Sequence, residues 1–199
     1  MKLILASKSP RRKEIIEKLG VHPEILALDT PEDGERDTLT PAELVEMLAR
    51  RKAEAAWSVV GARPDADGCV VLSADTVVAF GNTVLEKPKD GEDARHMLSM
   101  LSGNRHEVFT GFAAVYRGKT VSDVERTDVF FRELSAEDID AYVRTGEPMD
   151  KAGAYAAQGR GSLFVRRIEG DYFNVVGLPA GVVNDLLLKS FGTALPDFE

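Results

Sequence analysis

The chain has 199 residues, 44% of them hydrophobic and 29% charged, with a formal net charge of −8. That size and balance suit a globular protein with one sizeable core or two small lobes, exclude general disorder, and argue against binding nucleic acid or anionic membrane through bulk charge. The single cysteine, Cys69, excludes an internal disulfide and a cysteine-based zinc site, and no apolar run reaches membrane-spanning length, so a cytoplasmic protein is expected.

Leu3-Ile4-Leu5-Ala6 reads as a short buried strand. Ser9 is a natural N-cap and Pro10 suits the first helical position, predicting a helix through Ile15, Ile16 and Leu19 to Gly20. Lys8, Arg11, Arg12 and Lys13 crowd its first turn against the positive end of the helix dipole, a conflict that a bound phosphate chain would resolve. Residues 24–28 suggest a second strand, followed by an acidic loop over 29–37. Thr40-Pro41-Ala42-Glu43 is a capping box opening a helix with Leu44, Met47, Leu48 and Ala55 on one face. A Gly, Pro and Asp-rich connection over 61–68 leads into a buried strand, Val70-Val71-Leu72-Ser73. Residues 77–80 and 84–85 read as a hairpin turning at Gly81-Asn82, and 90–101 as a helix closed by Gly103. Residues 108–116 and 120–132 alternate as two paired strands, and a helix capped by Ser135 runs to about Gly146. The glycine-rich stretch 153–161 precedes a final hairpin over 163–176, turning at Gly170-Asp171, and a last helix after Pro179. Strands alternating with helices, with several strand pairs as hairpins, predict an α/β fold with a mixed sheet, flanking helices and two lobes around a cleft, all in one domain over 1–199.

Asp75 sits where the buried apolar strand 70–73 stops, a position that holds a carboxylate rigidly and still lets it meet a ligand. Glu32 in the acidic loop offers a second hard oxygen, and one or two carboxylates plus substrate phosphates is the usual way magnesium is held. Lys52, late in its helix, and Lys87, in Glu86-Lys87-Pro88 after a strand, are placed to act as point charges on phosphate. Asp150-Lys151-Ala152-Gly153-Ala154-Tyr155 runs into Gln158-Gly159-Arg160-Gly161, giving backbone freedom beside an amide able to read a base edge. Each of these alone has an ordinary reading as cap, turn or surface charge. No P-loop, GxGxxG, GxSxG or HExxH pattern occurs, and His22, His96 and His106 lack metal-ligand spacing.

Taken in order, Ser7-Lys8-Ser9-Pro10-Arg11-Arg12, Lys52-Ala53, Ala74-Asp75-Thr76, Glu86-Lys87-Pro88, Ser102-Gly103 with His106, and the run Glu147 to Tyr155 resemble the Maf family of nucleoside triphosphate pyrophosphatases over nearly the whole chain. The resemblance implies a Maf/ITPase-like fold with a nucleotide-binding cleft between lobes and a cytoplasmic enzyme. It implies hydrolysis of a nucleoside triphosphate to monophosphate and pyrophosphate, dependent on a divalent cation, Mg2+ or Mn2+. Asp75 would then activate the attacking water and share the metal with Glu32, while Ser7, Arg12, Lys52 and Lys87 bind the triphosphate. Three positions that separate the family's branches are Arg11, Thr76 and Gln158 here. Gln158 offers the neutral donor and acceptor that a uracil or thymine edge requires, which implies dTTP and UTP as substrates. Ala156-Ala157 departs from the Gly-Ile more usual before that glutamine. A nucleotide substrate, no stable nucleic-acid or membrane partner, and room for a homodimer complete the expectation. Two alternatives stand beside it: a house-cleaning pyrophosphatase for other noncanonical nucleotides, and a nucleotide-binding regulator of cell division, as the family's association with septum formation suggests.

Overall fold

The computed structural model describes residues 1–30, 38–81 and 83–198. The opening apolar run forms β1 (Lys2–Leu5), with Leu3, Ile4 and Leu5 buried. Pro10 then starts α1 (Pro10–Lys18), which buries Ile15 and Ile16. It stops short of the expected Gly20, because Leu19 is exposed and offers nothing to bury, while Gly20 adopts a left-handed conformation that closes the helix. β2 (Glu24–Ile25) is shorter than the strand expected over 24–28. Leu26 still packs on the core and donates its amide to Leu5 O at 3.1 Å, but Ile25 and Leu28 are exposed and the strand goes no further.

Thr40 and Glu43 cap each other reciprocally and open α2 (Pro41–Val60). Its buried face is Leu44, Val45, Leu48, Ala49, Ala53, Ala56 and Val60, whereas Met47 and Ala55, expected inside, are half-buried. The inward side is thus a stripe of small residues that lets the helix lie close to the sheet. β3 (Cys69–Phe80) runs parallel to β1, with Leu5 opposite Leu72. β4 (Thr83–Leu85) folds back antiparallel on β3, as expected; the turn residue Asn82 lies outside the described residues. α3 (Gly91–Leu101) is capped by the Asp90 carboxylate, which accepts from the Glu92 and Asp93 amides.

β5 (Arg105–Tyr116) and β6 (Lys119–Phe131) are the two long strands the alternation predicts, joined by a tight turn at Arg117 and Gly118. Ser135 and Asp138 form a second capping box on α4 (Ala136–Val143), which packs on α3. β7 (Val165–Glu169) pairs antiparallel with β6. The sheet is therefore mixed, in the order β2-β1-β3-β5-β6-β7 with β4 beside β3. The expected hairpin over 163–176 does not form. After β7 the chain turns into α5 (Tyr172–Val176), because the Asp171 carboxylate accepts from the Phe173 and Asn174 amides and the buried Asn174 amide is taken by Val108 O and Thr127 Oγ1. α6 (Ala180–Phe191) follows and ends at left-handed Gly192. No helix among the described residues is long and apolar enough to cross a membrane.

The chain divides into two compact units. The first comprises Met1–Asp75, Thr110–Glu125 and Gly177–Glu199; the second comprises Thr76–Phe109 and Arg126–Val176. The core of the first joins Ile4, Val71, Ala113 and Val115 of the sheet to Ala49, Ala53 and Ala56 of α2. In the second, Val78, Val108, Val129 and Phe131 meet Leu98 and Leu101 of α3, Tyr142 of α4, Tyr155 and Phe164.

Two core contacts give predictions. At Gly111 of β5 a Cβ would lie 2.3 Å from the Val45 carbonyl carbon and oxygen, so strand and helix backbones touch where a side chain would otherwise stand. Gly111→Ala should cost about 3 kcal/mol of unfolding free energy in urea, since neither backbone can yield cheaply. His106 is 1% exposed; its Nε2 shares a 2.9 Å hydrogen bond with the Tyr155 hydroxyl, and Nδ1 has no partner among the described residues. Burial, against the weaker upward pull of Asp128, lowers its pKa from 6.5 to about 3. Below 6.5 the unfolded chain takes up a proton that the folded chain refuses until about pH 3. Stability is therefore full above that window and falls as pH drops through it, by up to about 1.4 kcal/mol per pH unit from this group. In urea unfolding between pH 7 and 4.5, His106→Gln, which does not titrate, should lose less stability on acidification than the wild type.

Candidate active site

In the first unit the parallel pairing of β1 with β3 brings the chain after Leu5 alongside the middle of β3, and Ala6 N extends the ladder by donating to Leu72 O at 2.8 Å. Ser7, Asp75 and the start of α1 share the carboxyl end of β1, the edge at which open parallel sheets present ligand-binding groups. Asp75 does not stand at a strand exit as expected. β3 continues through it to Phe80, so Asp75 and Thr76 are two half-buried positions inside an otherwise largely buried strand. The apolar residues Val77, Val78 and Ala79 keep the strand going, and the carboxylate is tolerated mid-strand because α2 supplies its partner.

That partner is Lys52, whose Nζ donates to Asp75 Oδ1 at 2.5 Å, with the two side chains 19% and 16% exposed. The pair is thus shielded from bulk water on most sides, where Coulombic attraction is several-fold stronger than at a free surface. Beneath it, the Ser73 hydroxyl donates to Ala49 O at 2.5 Å and fixes helix to strand.

At the head of α1 the cations are sorted by their partners. Lys8 pairs with Asp29 and Lys13 with Glu17, so these two are surface pairs rather than part of an uncompensated cluster. Arg12 turns inward: Nη1 donates to Ser7 Oγ at 3.1 Å and Nε to Gly177 O at 2.8 Å. Desolvation lowers its pKa, Asp75 opposes that, and the neighbouring Arg11 adds to it. The guanidinium, which keeps its charge under any such shift, is thereby fixed within the field of Asp75. Ser9 takes the N-cap backbone conformation but makes no side-chain cap; instead its amide donates to Ser7 Oγ at 3.2 Å. Ser7, 8% exposed, is therefore the residue that organises this turn.

Thr76, Lys87 and Gln158 belong to the second unit. Lys87 is exposed after β4 and followed by buried Pro88, and the preceding Glu86 O accepts from Gly153 N at 3.1 Å, which ties Lys87 to the glycine-rich stretch. Gln158 is half-buried within residues 156–161, which the Glu147 carboxylate and Tyr142 hydroxyl hold by backbone hydrogen bonds. Glu32 lies outside the described residues. Among the described residues no three His, Cys, Asp or Glu side chains gather to hold a metal, and the donor at this edge is the Asp75 carboxylate. A single hard oxygen of this kind suits Mg2+ or Mn2+ completed by phosphate oxygens.

The structure thus unites Ser7 with Arg12 and Lys52 with Asp75. Sequence reasoning missed the Gly177 carbonyl that holds Arg12, a contact spanning 165 residues with no local signal. It also missed Tyr142 and the use made of Glu147, although Glu147 stood in a quoted motif.

The family model described as Maf-like protein matches residues 2–190. A protein of Geobacillus sp. (strain WCH70) named dTTP/UTP pyrophosphatase is 51% identical over 177 residues, covering 89% of this chain and 91% of that one. Proteins of the same name from Bacillus cereus (strain AH820) and Bacillus cytotoxicus are 48% and 46% identical, covering 89% and 93% of this chain and 90% and 94% of theirs. The solved structure of a HAM1 protein from Coxiella burnetii aligns over 96% of this chain and all of that one at 11% identity and a TM-score of 0.45, too loose a likeness to carry an argument.

Proposed function

The chain belongs to the Maf family, and on that footing we propose that it hydrolyses dTTP and UTP to the nucleoside monophosphate and pyrophosphate in the cytoplasm. The observation that carries the reading is the shielded Lys52–Asp75 pair, set at the edge where β1 ends and α1 begins, with Arg12 fixed beside it. A carboxylate to take a proton from water and cations to bind phosphate oxygens are what attack on a phosphoanhydride asks of a protein.

In this reading the water oxygen attacks the α-phosphorus, Asp75 accepts its proton, and the bond from that phosphorus to the bridging oxygen breaks so that pyrophosphate leaves with the electron pair. Lys52, a point charge on a flexible stem, exchanges Asp75 for a phosphate oxygen as the substrate arrives and so frees the carboxylate. Arg12, restrained by Ser7 Oγ and Gly177 O, offers positive charge that need not reorganise. Asp75 and Glu32 are the residues that would hold Mg2+ or Mn2+. That ion, when bound, neutralises charge on the phosphate oxygens. The proposal further assigns Lys87 to phosphate contact and Arg11, Thr76 and Gln158 to base selection, the Gln158 amide being able to match the donor and acceptor edge of uracil or thymine.

Purified protein with Mg2+ or Mn2+ should release pyrophosphate and monophosphate from dTTP and UTP in preference to CTP, GTP, ITP and 7-methyl-GTP. Asp75→Asn should lower kcat by roughly a thousandfold or more, and Lys52→Ala by roughly a hundredfold. Undiminished turnover in Asp75→Asn would refute the mechanism, and preference for a purine would refute the base assignment while leaving the chemistry standing.

A further inference from the structure

Glu147 takes no part in the chemistry proposed above, yet its carboxylate gathers hydrogen bonds from three directions. It opens the single turn Glu147–Asp150. Its Oε1 accepts from the Tyr142 hydroxyl at 2.9 Å and from Gly161 N at 3.1 Å, and its Oε2 accepts from Arg160 N at 3.3 Å. The Tyr142 hydroxyl in turn accepts from Ala156 N at 3.1 Å. One carboxylate, relayed through one phenol, therefore holds both the first and the last amides of residues 156–161.

The fit is close enough to select the residues of that segment. Gly159 has φ +91°, and a Cβ there would stand 3.0 Å from Glu147 Oε1 and 3.1 Å from Oε2. Tyr142 is 3% exposed with its ring against Phe164, so its hydroxyl cannot turn to solvent for another acceptor. Burial raises the pKa of the Glu147 carboxyl, but the Gly161 amide, the Tyr142 hydroxyl, the Arg160 amide and the charge of Lys151 outweigh it and hold the group below the usual range. The carboxylate is thus ionised at neutral pH, and charge-assisted bonds to backbone amides are the stronger kind.

We propose that Glu147, acting through Tyr142, is a positioning residue for base recognition that fixes residues 156–161 so that the Gln158 amide meets the base edge in one orientation. The inference rests on the reading of Gln158 as the base-selecting residue. A terminal amide distinguishes the edge of uracil from that of cytosine only if its oxygen and nitrogen are held in place, because the discrimination comes from leaving the wrong partner's polar groups unpaired. A segment carrying Gly159 and Gly161 has more backbone freedom to lose than most; beside the bonds that Ser162 makes to Gly159 O, the carboxylate supplies the restraint.

The test compares the wild type with Glu147→Gln, Tyr142→Phe and the double variant, measuring kcat and KM for UTP, dTTP and CTP with Mg2+, together with amide hydrogen exchange of the free proteins. Each single variant should raise KM for UTP and dTTP roughly tenfold, the equivalent of about 1.4 kcal/mol, and shrink the preference for UTP over CTP by a similar factor. Exchange should quicken at Ala156, Arg160 and Gly161. The double variant should be no worse than the more affected single one, since both act in one chain of bonds. Tyr142→Phe retains the ring packing and carries the test if Glu147→Gln folds poorly. A merely structural role would lower the melting temperature and the active fraction, and hence apparent kcat, while KM and the UTP to CTP ratio stay unmoved; that result, or additive effects in the double variant, overturns the proposal. Wild-type protein that turns over no nucleotide would refute the underlying reading before any variant is compared, and this proposal with it.

Discussion

How closely α2 approaches the sheet decides where the Lys52–Asp75 pair can sit. The helix turns Ala49, Ala53 and Ala56 inward, and β5 meets it at Gly111 with no side chain between the two backbones. On β3, Ser73 and Asp75 share one face because strand side chains alternate, and on α2 Ala49 and Lys52 share one face because they are three apart. The Ser73 to Ala49 hydrogen bond and the Lys52 to Asp75 ion pair are consequently successive rungs between the same strand and the same helix. A larger residue in place of Ala49, Ala53 or Ala56 would crowd the core and lift the helix, drawing the second rung apart.

The second rung is a poor investment if stability alone is considered. Two charges withdrawn from water gain from each other about what they lose in hydration, and an apolar pair of similar volume commonly serves as well or better. Stability alone therefore does not explain the pair; in the proposed mechanism it acts as a reserve of charge, carboxylate and ammonium satisfying each other in a shielded place until a phosphate arrives. Arg12 differs in kind. Its planar guanidinium is restrained at two nitrogens, by a side chain in its own turn and by a carbonyl near the far end of the chain. Lys52 is a point charge on a longer flexible stem, paired with the Asp75 carboxylate, so the two cations are held in ways that match the chemistry of their side chains.

What the sequence reveals follows the range of the forces involved. Thr40 with Glu43, and Ser135 at the start of α4, were readable because a capping box closes within four residues. The paired strands β5 and β6 were readable from alternation and a glycine at the turn. Asp75 was misplaced at a strand end, since a carboxylate looks like a strand breaker until its partner, 23 residues away, is known. The hairpin expected over 163–176 failed for a like reason: Gly170-Asp171 is a fair turn signal, and what converts the following residues to helix is Asn174 reaching back to Val108 and Thr127. Ser9 looked like the cap and Ser7 does the organising, because the guanidinium and amide that converge on Ser7 Oγ are placed by tertiary structure.

The two units meet the need for order from opposite directions. In the first, backbone packing comes first and side chains are positioned by it. In the second, Gly153, Gly159 and Gly161 leave a backbone that would not order itself, and side chains impose the path. Fixing each residue of such a stretch costs about 1–2 kcal/mol of conformational entropy. Hydrogen bonds to a charged acceptor return about 1.5–3 kcal/mol each and one to a neutral hydroxyl about 0.5–1.5 kcal/mol, so the Arg160 and Gly161 amides on Glu147 and the Ala156 amide on Tyr142 offset part of that cost. Order in this segment therefore draws on a single carboxylate and the phenol beside it, the condition under which one carboxylate would govern the orientation of a side chain that it does not touch.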